Sequence, residues 1–319
     1  MFEIEKYSPE MRREWDAFVN EARNATFLFM RGYMDYHSDR FDDCSWIVRK
    51  NGSIVALLPA NISEDGVLHS HQGLTYGGWI LPHKHINGED LLAIFQTGTD
   101  VWRSLGIKAL DYKPLPYIYS ARPSQEDIYA LFRLGAELKE CNLSSAIDLV
   151  SLRSGNPESI YNKLRRRALA KTSKLQFTIR ETTDATTVME MTERCLHDRH
   201  DAHPVHTIEE MQMLRNRFPE NIHFWVVEYE GEAQASVCIY DTDEVAHTQY
   251  ISTTPSGREM DLLTPLFDHL IRKVYTNRRY FDLGTSNGNH GIILNSGLLR
   301  QKASFGATGV AYPRYLLTL

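Results

Sequence analysis

Asp282 stands alone among Tyr280, Phe281 and Leu283, and the chain closes soon afterwards on Lys302-Ala303-Ser304-Phe305-Gly306. A carboxylate in so apolar a strand needs a partner. It can take a proton from a substrate, or accept backbone N–H groups from the Gly/Asn/Ser loop of residues 285–289. Lys302 offers a cation able to contact phosphate or polarise a carbonyl, its bland counterpart being a solvated lysine. In His247-Thr248-Gln249-Tyr250 alternate residues of a strand share a face, so His247, Gln249 and Ile251 are expected to point together and Tyr250 away. His247 reads as a base or substrate contact, against a core or surface histidine.

A basic run, Lys163, Arg165, Arg166, Arg167, Lys171 and Lys174, has no acidic residue between Glu158 and Glu181. It is expected on a helix beginning near Ser159, with Ile160, Leu164 and Ala168 on one apolar face. Such a patch can hold a phosphorylated acceptor or an RNA backbone, and is otherwise a solvated helix face. No aromatic residues interleave with the charges, which disfavours sequence-specific RNA reading and leaves shape-based tRNA contact. His197, His200, His203 and His206 recur in HDRHDAHPVH, but Pro204 interrupts them and the spacing is neither H-E-x-x-H nor a finger pattern, so no metal is expected. In HSHQGLTYGGWI, residues 69–80, glycines surround Tyr76 and allow close backbone approach. His71 and Tyr76 are therefore candidates for the acceptor side of an interdomain cleft, against a tight hairpin with a packed tyrosine. There is no G-x-S-x-G elbow, G-x-x-x-x-G-K-[ST] loop or G-x-G-x-x-G after a strand, which argues against hydrolase, NTPase and dinucleotide readings.

These residues need a scaffold, and the chain supplies one twice. WIVRKNGSIVA at residues 46–56 and WVVEYEGEAQA at residues 225–235 share a strand, Gly-turn, strand pattern. Each is followed by a further strand, a helix and a strand carrying a lone aspartate, Asp111 in the first half and Asp282 in the second. Ordered weak matches of this kind indicate a duplicated unit, and strands alternating with helices indicate a mixed α/β fold. SLRSGNPES supplies Ser, Gly and Pro for a boundary, giving domains over residues 1–145 and 146–319. A chain of 319 residues, 42% hydrophobic, can bury two such cores. The charged N-terminus lacks a signal-peptide core and no run approaches the ~18 apolar residues of a membrane span, so the protein is expected to be soluble and cytoplasmic. Cys44, Cys141, Cys195 and Cys238 lie far apart and are expected to be buried thiols. A net charge of -6 gives no general attraction to nucleic acid, and DNA is not expected as a partner.

With that order of elements, the chain resembles the Fem-type (FemAB-like), GNAT-like acyltransferases, bacterial proteins of two tandem GNAT-like domains. The resemblance covers nearly the whole chain. It is carried by Leu134-Gly135-Ala136, Ile147-Asp148-Leu149, the Leu164 to Arg167 run, residues 214–227, His247-Thr248-Gln249-Tyr250, Phe281 to Ser286, Leu294-Asn295-Ser296-Gly297-Leu298, and Lys302-Ala303-Ser304-Phe305-Gly306 as the family's Lys-x-x-Phe-Gly. It implies an acyl-CoA N-acyltransferase fold in each half and transfer of an acyl or aminoacyl group from acyl-CoA (acetyl-CoA) or aminoacyl-tRNA to an amine. The acceptor would be a small molecule or peptidoglycan-precursor-like.

On that resemblance the acyl group lies between two splayed strands carrying His247 and Gln249 on one side and Asp282 on the other. His247, Asp282 and Lys302 are the expected catalytic residues. Arg165, Arg166, Arg167, His71, Tyr76, Gln249, Gly257, Arg258, Ser286, Asn295 and Phe305 are expected to bind substrates. The chain departs from acetyl-CoA enzymes at Thr254-Pro255-Ser256-Gly257-Arg258-Glu259, where only the central glycine of the [QR]-x-x-G-x-[GA] phosphate loop is kept and Glu259 sets a carboxylate beside the phosphates. A catalytically silent GNAT-like module that binds a small ligand or protein partner is the alternative. The glycine-rich loop and Lys-x-x-Phe-Gly occur in the second half alone, which places the expected site there.

Overall fold

A computed structural model describes residues 2–153, 160–200 and 202–319. Much of the SLRSGNPES boundary and the side chain of His200 fall outside those residues. The chain forms two compact units. The first comprises Met1–Leu143, Asn287–Ile293 and Ala311–Leu319, and the second Ser144–Ser286 and Leu294–Val310. Two late segments, which a single cut would assign to the second half, thus group with the first.

In the second unit the strand order is residues 144–148 of the Glu137–Asp148 strand, then Tyr280–Thr285, Val245–Thr253, Glu232–Asp241, Ile222–Tyr229 and Phe177–Thr182. The Ile222–Tyr229 and Glu232–Asp241 hairpin turns through Glu230 (φ 53°) and Gly231 (φ 82°), the pair of positive φ values that matches strand twist in a two-residue turn. Val245–Thr253 and Tyr280–Thr285 are parallel, and the helices Pro255–Glu259 and Leu263–His269 form the crossover between them. One face of the sheet packs Val237, Ile239, Ala246, Phe281 and Leu283 against Leu266, Phe267 and Phe305.

The first unit repeats this order. Trp46–Lys50 and Ser53–Leu58 form a hairpin through Asn51 (φ 53°) and Gly52 (φ 79°), then come Val67–His69, the helix Gly88–Ser104 and the parallel strand Ala109–Tyr112. The helix opens with a reciprocal Asn87/Asp90 capping box. Trp46, Trp79, Phe95 and Trp102 fill the core, and the end of the Thr308–Thr318 strand pairs with Ala109–Tyr112. The mixed α/β reading therefore holds.

Two local expectations change. The basic helix runs Lys163–Thr172 behind an Asn162 cap and buries Ala168 and Thr172, while Leu164 is 63% exposed. Arg165, not Leu164, lies on its inner face, because Arg165 finds polar partners there, while Ile160 and Tyr161 precede the helix and pack against the same core. Cys44 and Cys238 are buried, but Cys141 is exposed and Cys195 half-buried, and all four are free thiols. Among the described residues no helix is long and apolar enough to cross a membrane.

Candidate functional site

The two parallel strands pair only at Val245 with Tyr280, Ala246 with Phe281 and His247 with Asp282. Beyond that register they part, so His247 and Asp282 sit side by side at the last rung before the opening. Phe281 and Leu283 face the apolar core, which turns Asp282 to the opposite face with His247. His247 Nδ1 lies 2.9 Å from Asp282 Oδ2. Asp282 is fully buried, and its Oδ1 accepts from Ser144 Oγ at 2.6 Å and from the Gly284 amide at 3.0 Å. A carboxylate on Nδ1 fixes the imidazole tautomer with the proton on that nitrogen. The other nitrogen, Nε2, has no hydrogen-bond partner among the described residues, and the His247 side chain retains 14% of its exposure. A positioned imidazole with a free lone pair is a proton acceptor.

The face expectation for this strand changes at Gln249. The register jumps from Cys238–Tyr250 to Ile239–Thr248, which leaves Gln249 as the extra residue of a β-bulge. Past it, Ile251 pairs with Val237 and packs on the core face, while Tyr250 turns to the side of Cys238. Tyr250 thus shares a face with His247. Its hydroxyl lies 2.6 Å from His206 Nδ1.

Lys302 is buried. Its Nζ donates to the carbonyls of Gly284 at 2.8 Å and Thr285 at 2.6 Å, and burial pulls its pKa down to about 8 against the opposing charge of Asp282. Two of its three donors therefore hold the end of the Asp282 strand. Gly284 makes this possible with φ 74°, a conformation that costs a side-chain-bearing residue energy. Asn295 caps the helix Ser296–Ala303 by accepting from the Leu298 amide, and its own N–H reaches the Ser286 carbonyl. The Ser286 hydroxyl is buried with no hydrogen-bond partner among the described residues. Phe305 is a core ring against Phe267 and Tyr161.

Arg165 lies over Phe305 at 4.5 Å and donates to Ser304 Oγ at 2.8 Å and Thr264 Oγ1 at 2.6 Å. Burial lowers its pKa, partly opposed by Asp261. Arg166 and Arg167 are exposed. Gly257 is wedged against the neighbouring strand, where a Cβ would come within 2.2 Å of the Gln234 carbonyl. Its amide is taken by Thr254 Oγ1 and that of Arg258 by the Thr254 carbonyl, while the amides of Met260, Asp261 and Leu262, just past the turn, bond back to Ser256, Arg258 and Gly257. With the amides of Thr254, Gly257 and Arg258 engaged and none on Pro255, the Thr254–Glu259 turn offers fewer open N–H groups than a pyrophosphate cradle uses.

His71 and Tyr76 are both packed in the first unit. His71 stacks on His37 and accepts from the Gly73 amide, and burial, reinforced by nearby cations, pushes it well below the ordinary imidazole range. The Tyr76 hydroxyl donates to Thr26, and its ring packs on Phe29 and Tyr119. The histidine run is dispersed: His203 bonds Glu193 and His206 meets Tyr250. Among the described residues no group of three or more His, Cys, Asp and Glu side chains could hold a metal ion. Ser144, Tyr250 and His206 complete the site: nothing in the sequence marks Ser144, strict alternation turns Tyr250 to the wrong side, and His206 comes from the histidine-bearing loop that borders the cleft.

Residues 159–290, which include the splayed strands and the bulge, match the acetyltransferase (GNAT) domain. Over its full length the chain has the tandem GNAT-like fold of Fem-type proteins. It superposes on the crystal structure of FemX with a TM-score of 0.72 at 10% identity, covering 99% of this chain and 97% of that one. L-PGS from Bacillus licheniformis gives 0.61 at 14% identity, covering 98% and 92%. A tandem GNAT protein from the clavulanic acid biosynthesis pathway gives 0.57 at 12% identity, covering 100% and 98%. No curated protein sequence matches the chain.

Proposed function

We propose that the protein is an N-acyltransferase of the bacterial cytoplasm that moves an acyl or aminoacyl group onto an amine, with His247 as the base. The observation that carries this reading is the buried Asp282 that orients His247 and leaves Nε2 open at the mouth of the splay. The amine nitrogen attacks the acyl carbonyl carbon, and Nε2 takes the proton that the nitrogen must lose. Asp282 stabilises the resulting imidazolium without itself receiving the proton, because both of its oxygens are already engaged. The bond to the leaving group then breaks, and its heteroatom needs a proton. Tyr250 is the donor on the same face, and His206 can return a proton to it. Lys302 keeps the Asp282 strand in register from beneath.

The committed amides of the 254–259 turn favour a donor whose phosphates are held by side chains, and Arg166 and Arg167 are exposed for that purpose. This favours aminoacyl-tRNA over acetyl-CoA, with a peptidoglycan-precursor-like or other small amine as acceptor. Binding raises the melting temperature by mass action. Thermal-shift titration with acetyl-CoA and longer acyl-CoAs, filter binding of aminoacyl-tRNA, and a transfer assay with His247→Gln test the reading. Transfer abolished in His247→Gln is expected. Transfer that survives that substitution removes the base assignment. A folded wild type that binds none of these donors is instead a catalytically silent binding module.

A further inference from the structure

The first unit contains a second copy of the histidine–aspartate pair. His69 and Asp111 are the last paired rung of its parallel strands, as His247 and Asp282 are in the second unit, and His69 Nδ1 lies 3.1 Å from Asp111 Oδ2. The two copies differ in what surrounds them. In the first, Arg314 donates to both oxygens of Asp111, at 2.7 Å to Oδ1 and more closely still to Oδ2, and Ser63 Oγ lies 3.0 Å from His69 Nε2. Ser63 is itself held by Asp65 Oδ1 and the Val67 carbonyl. A guanidinium cancels the charge that would stabilise an imidazolium, and the hydroxyl closes the nitrogen that would meet a substrate. In the second, a neutral hydroxyl and an amide occupy Asp282 Oδ1, and Nε2 has no such cap.

We infer that Ser144 is a positioning residue of the active pair: a neutral donor that holds Asp282 without spending its charge, while Arg314 and Ser63 keep the matching pair of the first unit shut. The inference rests on the N-acyltransferase reading for its catalytic consequence, but the open and closed states of the two histidines stand apart from it. The strand bearing Ser144 runs antiparallel to the Asp282 strand, and the register irregularity between Asp282 and Thr285 brings the Ser144 hydroxyl onto Oδ1. Without it, a fully buried carboxylate loses the short 2.6 Å bond to Oδ1. It can then swing or share its oxygens, and Nε2 is no longer the nitrogen held free of a proton.

The test uses diethyl pyrocarbonate on the full chain, with peptide mass spectrometry to follow each histidine. An unprotonated imidazole nitrogen attacks a carbonyl of the reagent and expels ethyl carbonate, which breaks down to ethanol and CO2; the imidazole N–H proton balances the product. In the wild type, His247 is expected to react at least about tenfold faster than His69. Ser63→Ala should raise His69 at least severalfold, Ser144→Ala should slow His247 severalfold, and Ser144→Thr, which keeps the hydroxyl, should restore much of that loss. Melting curves confirm that each variant is folded, and Ser145→Ala, a buried neighbour on the same strand, serves as the packing control and should leave His247 unchanged. Equal reactivity of His69 and His247 in the wild type overturns the closed-copy inference. An unchanged His247 rate in folded Ser144→Ala, or the same slowing in Ser145→Ala, overturns the positioning role. Because no donor or acceptor is needed, failure of the N-acyltransferase reading would appear separately, as absent transfer with the reactivity pattern intact.

Discussion

Replacing Asp282 by Asn isolates what the carboxylate does for His247. The amide keeps an oxygen where Oδ1 accepts from Ser144 and Gly284, so the buried contacts at 2.6 Å and 3.0 Å can persist. Its NH2 group then faces His247 Nδ1 across the present 2.9 Å. Two donors cannot share that line, so the imidazole must present a lone pair at Nδ1 and carry its proton on Nε2, the atom that should receive one. General-base catalysis contributes about 10²–10⁴-fold, and loss of the correct tautomer removes most of it, so kcat should fall about 10²–10³-fold. Stability should fall by only about 1–3 kcal/mol, the worth of one hydrogen bond to a charged group. Steady-state transfer at saturating donor, corrected for the folded fraction from urea unfolding, measures the effect. The matched control is Asp111→Asn in the first unit. It breaks the Arg314 fork and should destabilise the fold while leaving transfer per folded molecule unchanged. Asp282→Asn within about threefold of wild type would refute the oriented-base reasoning, since general-base catalysis lost through the tautomer cannot cost so little.

Asp111 supplies a pH test. Burial alone would raise its pKa, but the Arg314 fork and His69 lower it from 3.8 to about 2, so the folded state holds the proton less tightly than the unfolded chain. Its contribution, about 2 kcal/mol, is complete above the unfolded value and is lost as pH falls from near 4 through 2, a segment of the urea-stability profile that Asp111→Asn should lack. Lys302 has the opposite consequence: its folded pKa of about 8 lies below 10.5, so wild-type stability should rise across that interval, and Lys302→Met should flatten the rise. Gly257→Ala should destabilise far more than Gly284→Ala, because the first drives a Cβ to 2.2 Å from the Gln234 carbonyl whereas the second meets nothing nearer than 3.7 Å and carries only the strain of positive φ, about 1–2 kcal/mol, as melting curves will show. Arg166→Glu with Arg167→Glu should weaken tRNA retention on filters and reduce its salt dependence, with stability changed by less than about 0.5 kcal/mol.

Both members of the His247–Asp282 pair were visible in the sequence as candidates, and so was the repeat that sets them on adjacent strands. Their contact was not, because it depends on a parallel register across 35 residues of crossover. The first copy escapes pattern for the same reason: Asp111 reads as the counterpart of Asp282, but His69 and Asp111 are 42 positions apart, so a fixed offset does not align His69 with His247. Strict alternation failed at Gln249, since a bulge leaves no mark in hydrophobic pattern, and with it went the true side of Tyr250. Helical periodicity failed at Leu164, where an arginine with three polar or aromatic partners displaced an aliphatic residue from the inner face. Pattern records which residues prefer to be buried; it does not record which polar residue will find partners when it is.

The join between the Asp282 strand and the Lys-x-x-Phe-Gly helix is a single device, and Gly284 is its centre. The amide of this glycine holds Asp282 Oδ1, and its carbonyl receives Lys302. An L-residue there would favour a backbone that cannot turn amide and carbonyl this way at no cost, so the positive φ has a direct purpose. Lys302 in turn sits on the helix that Asn295 caps, and Asn295 is bonded back to Ser286 at the end of the same strand. The glycine-rich stretch between them therefore closes a loop whose two ends are tied, with a buried cation beneath the one buried carboxylate that orients His247. That arrangement explains why lysine and aspartate occur together in the second unit: the positive charge stabilises the strand end on which the aspartate depends, and the aspartate's charge remains directed at the imidazole. In the first unit the cation is an arginine placed on the carboxylate itself, and the same pair of side chains becomes an ion-pair lock.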